Sequence, residues 1–246
     1  MTLQPALCLP SGVILPVAQS RRYTMTLLRV AGLLAMIAMQ CLITATTNES
    51  WIVDTNTLNQ IGHEYGDDAR KRVITWNTLL QEGKDLADDK KIVLVNHFFN
   101  QLRFVSDMEH WGTEDYWATP LEFLGSNGGD CEDFAIAKYF SLRELGVPVE
   151  RLRLTYVRAL NPNPVSQAHM VLAYYSATDA EPLVLDNLID DIRPASQRPD
   201  LVPVYSFNGD GLWLAKERGR GRLVGASDRL SRWTELVGRM ASRNQR

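Results

Sequence analysis

The sequence predicts an α+β fold, with a helical first half followed by an antiparallel sheet. Two observations carry this. Between Asp67 and Phe104, apolar residues recur at helical spacing in two successive segments. After Pro148 the period changes to strand alternation, broken by turn-rich connections. Helices first and strands later separate this chain from a doubly wound α/β protein.

The first helix is expected over Asp67–Gly83. Asp67 and Asp68 open it at the end the helix dipole favours, Val73, Ile74, Trp76, Leu79 and Leu80 form its apolar face, and Gly83 ends it. The second repeats the design over Asp88–Phe104, with Ile92, Val93, Val95, Phe98, Phe99 and Leu102 inward. His97 on this helix reads as a packed histidine. Ser106–Gly129 reads as a long loop rich in turn formers and aromatics. A third helix runs from about Cys131 to Leu145, with Asp130 as N-cap and Gly146 and Pro148 as the stop. Strands follow at Leu152–Arg158, His169–Tyr175 and Leu183–Leu185, with Asn161–Pro164 and Ser176–Pro182 as turns. An amphipathic helix over Ser227–Met240 closes the chain, with Leu230, Trp233, Val237 and Met240 inward.

The 246 residues are 45% hydrophobic and 22% charged, which places the chain among globular proteins and excludes overall disorder. The net charge of −3 argues against a generic nucleic-acid binder. Residues 216–246 nevertheless carry nine basic residues against three acidic ones. Such a tail is a solvated face or a contact for lipid headgroups or an acidic partner. Val30–Ala45 is apolar, preceded by Arg21, Arg22 and Arg29 and followed by small and polar residues. That is a secretory signal, or else an uncleaved anchor, and it implies work outside the cytoplasm, in the periplasm. The chain thus divides into an N-terminal extension with signal segment (1–50), a globular domain (51–215) and a basic tail (216–246).

Of the three cysteines, Cys8 and Cys41 lie in or before the apolar segment, so removing it leaves Cys131 alone. Cys131 follows Gly128-Gly129-Asp130 at a helix start. The helix dipole there favours thiolate, and free first-turn N–H groups can hold an oxyanion. A thiol nucleophile needs a base and the base an orienter. His169 opens one strand and Asp186 ends the next, so an antiparallel pairing of the two brings them side by side. Asp130, Glu132 and Asp133 surround the thiol with carboxylates. They complement the helix dipole or supply part of a calcium site, since calcium takes about 6–8 oxygen ligands. A bound cation would also cancel their repulsion of a thiolate. Trp117 reads as core packing, with its indole N–H as a candidate oxyanion donor.

The order Cys131, His169, Asp186 resembles the transglutaminase-like cysteine proteinases of bacteria. The block from Trp117 to Phe123, followed by Gly129-Asp130-Cys131-Glu132-Asp133-Phe134-Ala135-Ile136-Ala137-Lys138-Tyr139, is similar to the LapG-type periplasmic proteases. The likeness extends over roughly residues 51–214. It implies a papain/transglutaminase-like fold, with a helical part carrying the thiol and an antiparallel sheet carrying His and Asp. It implies an endopeptidase that needs Ca2+, with Asp130 and Glu132 better ligand candidates than Asp133. It further implies cleavage near the N-terminus of a large cell-surface adhesin, releasing cells from a biofilm. Control by an inner-membrane LapD-type receptor for cyclic di-GMP is part of the same implication. Acyl transfer to an amine on the same triad, or a non-catalytic envelope binding module, are the alternatives from the residues alone.

Overall fold

The computed structural model describes residues 53–160, 167–214 and 221–243. All lie in one compact unit, Ser50–Arg246. The expected signal segment, Cys8, Cys41, the Asn161–Pro164 turn and the boundary at 215–216 lie outside the described residues. No helix among the described residues is long and apolar enough to cross a membrane.

Three helices come first: α1 (Thr55–Tyr65), α2 (Asp67–Gly83) and α3 (Asp88–Phe99). The sequence reading missed α1, which has few apolar residues and buries only Ile61 fully. Its start is set by Asp54, whose carboxylate accepts from the Thr57 N–H at 2.8 Å. α2 has the bounds its sequence predicts, with Ile74 exposed instead of inward. The α3 helix stops at Phe99 rather than Phe104, because Arg103 and Phe104 form a short strand, β1, paired in parallel with β2 (Gly128–Gly129). Val93 faces solvent, and His97 is exposed rather than packed.

The expected loop from Ser106 to Gly129 contains two short helices, α4 (Asp107–Trp111) and α5 (Pro120–Ser126). Thr119 starts α5 through a reciprocal capping box with Glu122, and Pro120 fills the first helical turn. Next comes α6 (Cys131–Glu144), which is buried on most sides. Phe134, Ala135, Ile136, Ala137, Tyr139 and Leu142 pack between the other helices and the sheet. Trp76 of α2 donates its indole N–H to Ser141 of α6 at 2.8 Å, so the polar atoms of this contact are satisfied inside the core.

The sheet has seven antiparallel strands: β3 (Leu152–Ala159), β4 (Gln167–Tyr174), β5 (Leu183–Leu185), β6 (Arg193–Pro194), β7 (Leu201–Phe207), β8 (Leu212–Leu214) and β9 (Arg222–Gly225), in the order β6-β5-β4-β3-β7-β8-β9. The sequence reading found β3, β4 and β5 and missed β6, β7, β8 and β9. Pro203 and half-exposed alternation hide β7. Leu152, Leu154, Met170, Leu172 and Phe207 join the helices in the main core, while Val157, Val171 and Val184 form a smaller cluster. The closing helix α7 (Ser231–Arg243) buries Trp233, Leu236 and Met240. Leu236 takes the inward place expected for Val237, which is 40% exposed.

The two glycines before α6 serve space, not an unusual dihedral. Neither has a positive φ among the described residues. A Cβ on Gly128 would meet the Arg103 carbonyl at 2.9 Å, and one on Gly129 would meet Asp133 Oδ2 at 2.1 Å. The expected sharp turn is therefore a close approach of β1 and of the Asp133 carboxylate to bare backbone. Gly129→Ala should destabilise the protein by about 1–3 kcal/mol through overpacking, measured by denaturant unfolding. Gly62→Ala on α1, where a Cβ would meet only the flexible Arg70 side chain at 3.2 Å, should cost less.

Candidate active site

Cys131 is the first residue of α6 and the free cysteine of the described residues. Its Sγ donates to Glu132 Oε2 at 2.7 Å. The backbone N–H of Met170, the residue after His169 on β4, also points at the sulfur. The thiol is not the low-pKa group that the helix dipole alone predicts. Burial pushes its pKa up, and the charge of Glu132, the Glu132 hydrogen bond and the charge of Asp130 push it further; the Met170 N–H opposes them weakly. A helix dipole is worth about 0.3–1 kcal/mol at ordinary sites. A like charge at 4 Å costs about 4 kcal/mol at an effective dielectric of 20. Burial and the neighbouring carboxylates together outweigh the dipole.

The antiparallel pairing of β4 with β5 does what the sequence reading expected. His169 Nε2 and Asp186 Oδ1 are 2.8 Å apart, and both side chains are buried. With Nε2 committed to Asp186, Nδ1 is the ring nitrogen left for a second partner. Asp186 Oδ1 also accepts from the Leu188 N–H at 3.1 Å, and Oδ2 accepts from Arg198 Nη2 at 2.7 Å. Burial alone would raise the Asp186 pKa. The hydrogen bond and charge of His169, with help from Leu188 and Arg198, hold it down at about 2. Behind it, Asn100 and Lys138 donate to the Asp186 carbonyl at 2.9 and 3.2 Å. Burial brings Lys138 down to about 7, against the pull of Asp186 and Asp190. Arg198 was absent from the sequence reading, since a lone arginine in a turn carries no signal of its own.

The acidic residues around Cys131 divide into two kinds. Asp133 is fully buried and already bonded: its Oδ1 accepts from the Ala118 N–H at 2.7 Å and its Oδ2 from the Asp130 N–H at 3.3 Å. It acts as a clamp on two backbone segments. Asp130 Oδ1 is buried and takes no hydrogen bond among the described residues, and the same is true of Asp107 Oδ1 on α4. Asp107, Asp130 and Asp133 offer ligand atoms within 4.8 Å of one another, as do Asp130, Cys131 and Glu132. Burial, then the charge and hydrogen bond of Glu132 and the charges of Asp133 and Asp107, push the Asp130 carboxyl up to about 9. Burial takes Asp107 up to about 6. Orphaned oxygens, raised carboxyls and the all-oxygen set of Asp107, Asp130 and Asp133 fit a hard divalent cation. Asp107 was missed because it lies far along the chain, in a stretch read as loop.

The stretch Asp115–Ala118 is held from outside by α7. Arg232 pairs with Asp115 at 3.1 Å, and Arg239 donates to the Trp117 carbonyl and stands over the Tyr116 ring. Two basic residues of the tail thus make internal pairs rather than a purely solvated face. Trp117 is core, as expected: its ring stacks on Phe207 and its N–H donates to Asp115 at 3.0 Å, so it is committed elsewhere than at an oxyanion. His63 and His97 are exposed, and His110 stacks edge-on against Trp111.

Comparison with curated proteins returns no match. Among solved structures, Legionella pneumophila LapG in an EGTA-treated form is 44% identical, with a TM-score of 0.67, covering 77% of this chain and 98% of that one. The calcium-bound form of Legionella pneumophila LapG is 45% identical, with a TM-score of 0.64, covering 75% and 98%. A family model described as bacterial transglutaminase-like cysteine proteinase matches residues 69–209, a span that includes α6 and strands β3 to β7. With more than half of the chain matched by that model, and relatives above 40% identity matched almost end to end, the protein belongs to the bacterial transglutaminase-like cysteine proteinases.

Proposed function

We propose that the protein is a calcium-dependent periplasmic cysteine endopeptidase that cuts the N-terminal region of a large cell-surface adhesin. The observation that carries the catalytic part is the buried 2.8 Å contact of His169 with Asp186, on the strand whose Met170 N–H lies near the helix-start thiol. The thiol proton passes to His169 Nδ1 as the sulfur attacks the scissile carbonyl carbon. Free N–H groups of the first turn of α6 receive the oxyanion. The imidazolium then gives its proton to the leaving amine, and water hydrolyses the thioester. Asp186 keeps the imidazole in one tautomer and orientation throughout. Glu132, which takes the thiol hydrogen bond at 2.7 Å, has to release it before His169 can act.

Asp130, Glu132 and Asp107 are the residues that would hold calcium, with Asp133 fixing the backbone around them. When bound, the ion supplies the positive charge that offsets the like-charge penalty on a thiolate. The calcium-bound and EGTA-treated forms of the LapG relative support this reading. The adhesin substrate, and restraint by an inner-membrane LapD-type receptor that responds to cyclic di-GMP, rest on the resemblance to LapG-type proteases. Periplasmic location rests on the basic-apolar-small pattern of residues 21–50. N-terminal sequencing of the envelope form should find that segment removed; a chain still beginning at Met1 or Met25 would point to an anchor.

Cys131→Ala should abolish turnover with the fold intact. His169→Ala should lower kcat by about 10²–10⁴-fold, the range of a positioned general base. Asp186→Asn should leave a residual rate. Cleavage assays on the three variants check this, and full turnover by Cys131→Ala would sink the proposal.

The metal reading has its own test. The metal-free native state holds protons on Asp130 and Asp107 up to pH about 9 and about 6, whereas an unfolded aspartate loses its proton near 3.9. The native state therefore binds more protons, and in chelator its stability should fall as pH rises from about 4 to about 9. Calcium takes those carboxylates ionised, so it should remove the slope and add about 2.7 kcal/mol at a hundredfold excess over Kd. Thermal unfolding across pH, with and without calcium, reads both effects. Asp130→Ala, Glu132→Ala and Asp107→Asn should lose calcium binding and activity together, and Asp115→Ala should matter less. Full activity in excess chelator, with no heat of calcium binding, would leave these residues as helix-capping groups.

A further inference from the structure

We infer that Arg198 is a positioning residue of the triad, pinning the Asp186 carboxylate so that Oδ1 faces His169. The inference rests on the triad reading above. The last side-chain torsion of an aspartate is soft and roughly two-fold, so one hydrogen bond from an imidazole does not fix the carboxylate plane. Here the two oxygens are divided. Oδ1 receives His169 Nε2 at 2.8 Å and the Leu188 N–H at 3.1 Å, and Oδ2 receives Arg198 Nη2 at 2.7 Å. Rotation about that torsion would break all three contacts at once.

Arg198 is itself built in. Its side chain is 3% exposed, against 45% for Asp200, its outer partner. Asp200 accepts from Arg198 Nε at 3.0 and 3.2 Å and from Nη2 at 2.7 Å, so the guanidinium is gripped from the solvent side. The backbone is set as well. Arg198 N–H donates to the Ala195 carbonyl at 3.0 Å, and Ala195 N–H donates to Pro182 at 2.9 Å, which ties this turn to the start of β5. The planar fork of arginine serves two carboxylates from one place, which a lysine ammonium does less well. The chain runs Asp200–Arg198–Asp186–His169, from the surface to the base.

The test uses the mature chain in saturating calcium, with iodoacetamide as the probe of Cys131, so no substrate has to be known. The rate of Cys131 alkylation at neutral pH is read by mass spectrometry, with the thermal midpoint recorded alongside. Arg198→Ala should slow alkylation by up to about 10²-fold, the cost of a misplaced catalytic group. Added guanidinium should restore much of that rate. Arg198→Lys should fall between Arg198→Ala and the parent, and it supplies the comparison if Arg198→Ala does not fold. Asp200→Asn, which keeps the contact with Asp186, should lose far less. Unchanged alkylation in both Arg198 variants would overturn the inference, as would a loss that guanidinium does not restore and that follows the thermal midpoint. His169→Ala separates the two readings. If it leaves alkylation unchanged, the triad itself is wrong; if it slows alkylation while the Arg198 variants do not, only the role of Arg198 falls.

Discussion

The reactive end of the molecule depends on one buried carboxylate, Asp133, which bonds the backbone N–H of Ala118 on one side and of Asp130 on the other. Those two bonds tie the aromatic stretch before α5 to the first turn of α6 and so fix where the thiol stands. Gly129 has no side chain because the Asp133 carboxylate occupies the space a Cβ would need. The Arg232 and Arg239 contacts from α7 brace the same stretch from the far side. Asp133 cannot be moved without moving the thiol, the glycine pair and the acidic cluster together.

Electrostatics around Cys131 run against simple helix-start reasoning. The dipole favours a thiolate, but burial and two neighbouring carboxylates favour the thiol by a larger margin. The same crowding leaves buried oxygens of Asp107 and Asp130 without partners among the described residues. A site in which several acids repel one another and orphan their own oxygens is strained as bare protein and relaxed by a divalent cation. A divalent cation there would act on the same charges that hold the thiol protonated, so cation binding and the state of the thiol are one electrostatic problem rather than two.

Two aspartates, one beside Cys131 in sequence and one bonded to His169, show how environment decides protonation. Asp130 and Asp186 both pay for burial. Asp130 meets other carboxylates and is driven up to about 9. Asp186 meets an imidazole, a guanidinium and a backbone N–H and is held at about 2. One is held protonated by burial and by its acidic neighbours. The other is a permanent anion, suited to orienting a histidine.

Much of this was legible in the sequence, for local reasons. A cysteine after Gly-Gly-Asp with turn formers at the far end marks the start and stop of α6 without any knowledge of packing. Strand alternation located β3, β4 and β5, and antiparallel neighbours bring the start of one strand to the end of the next, which is how His169 meets Asp186. What the sequence could not give came from contacts between distant segments. Asp107 and Arg198 enter the site through chain separations that no spacing rule encodes, and β7 to β9 are half-exposed strands whose pattern is weak. Val237 and Leu236 are adjacent on an amphipathic helix, and only the surface it docks against chose between them. Sequence determines local periodicity, caps and the supply of reactive groups, because these depend on near neighbours. Protonation, orphaned oxygens and shared carboxylates depend on what burial brings close, and only the tertiary structure decided those.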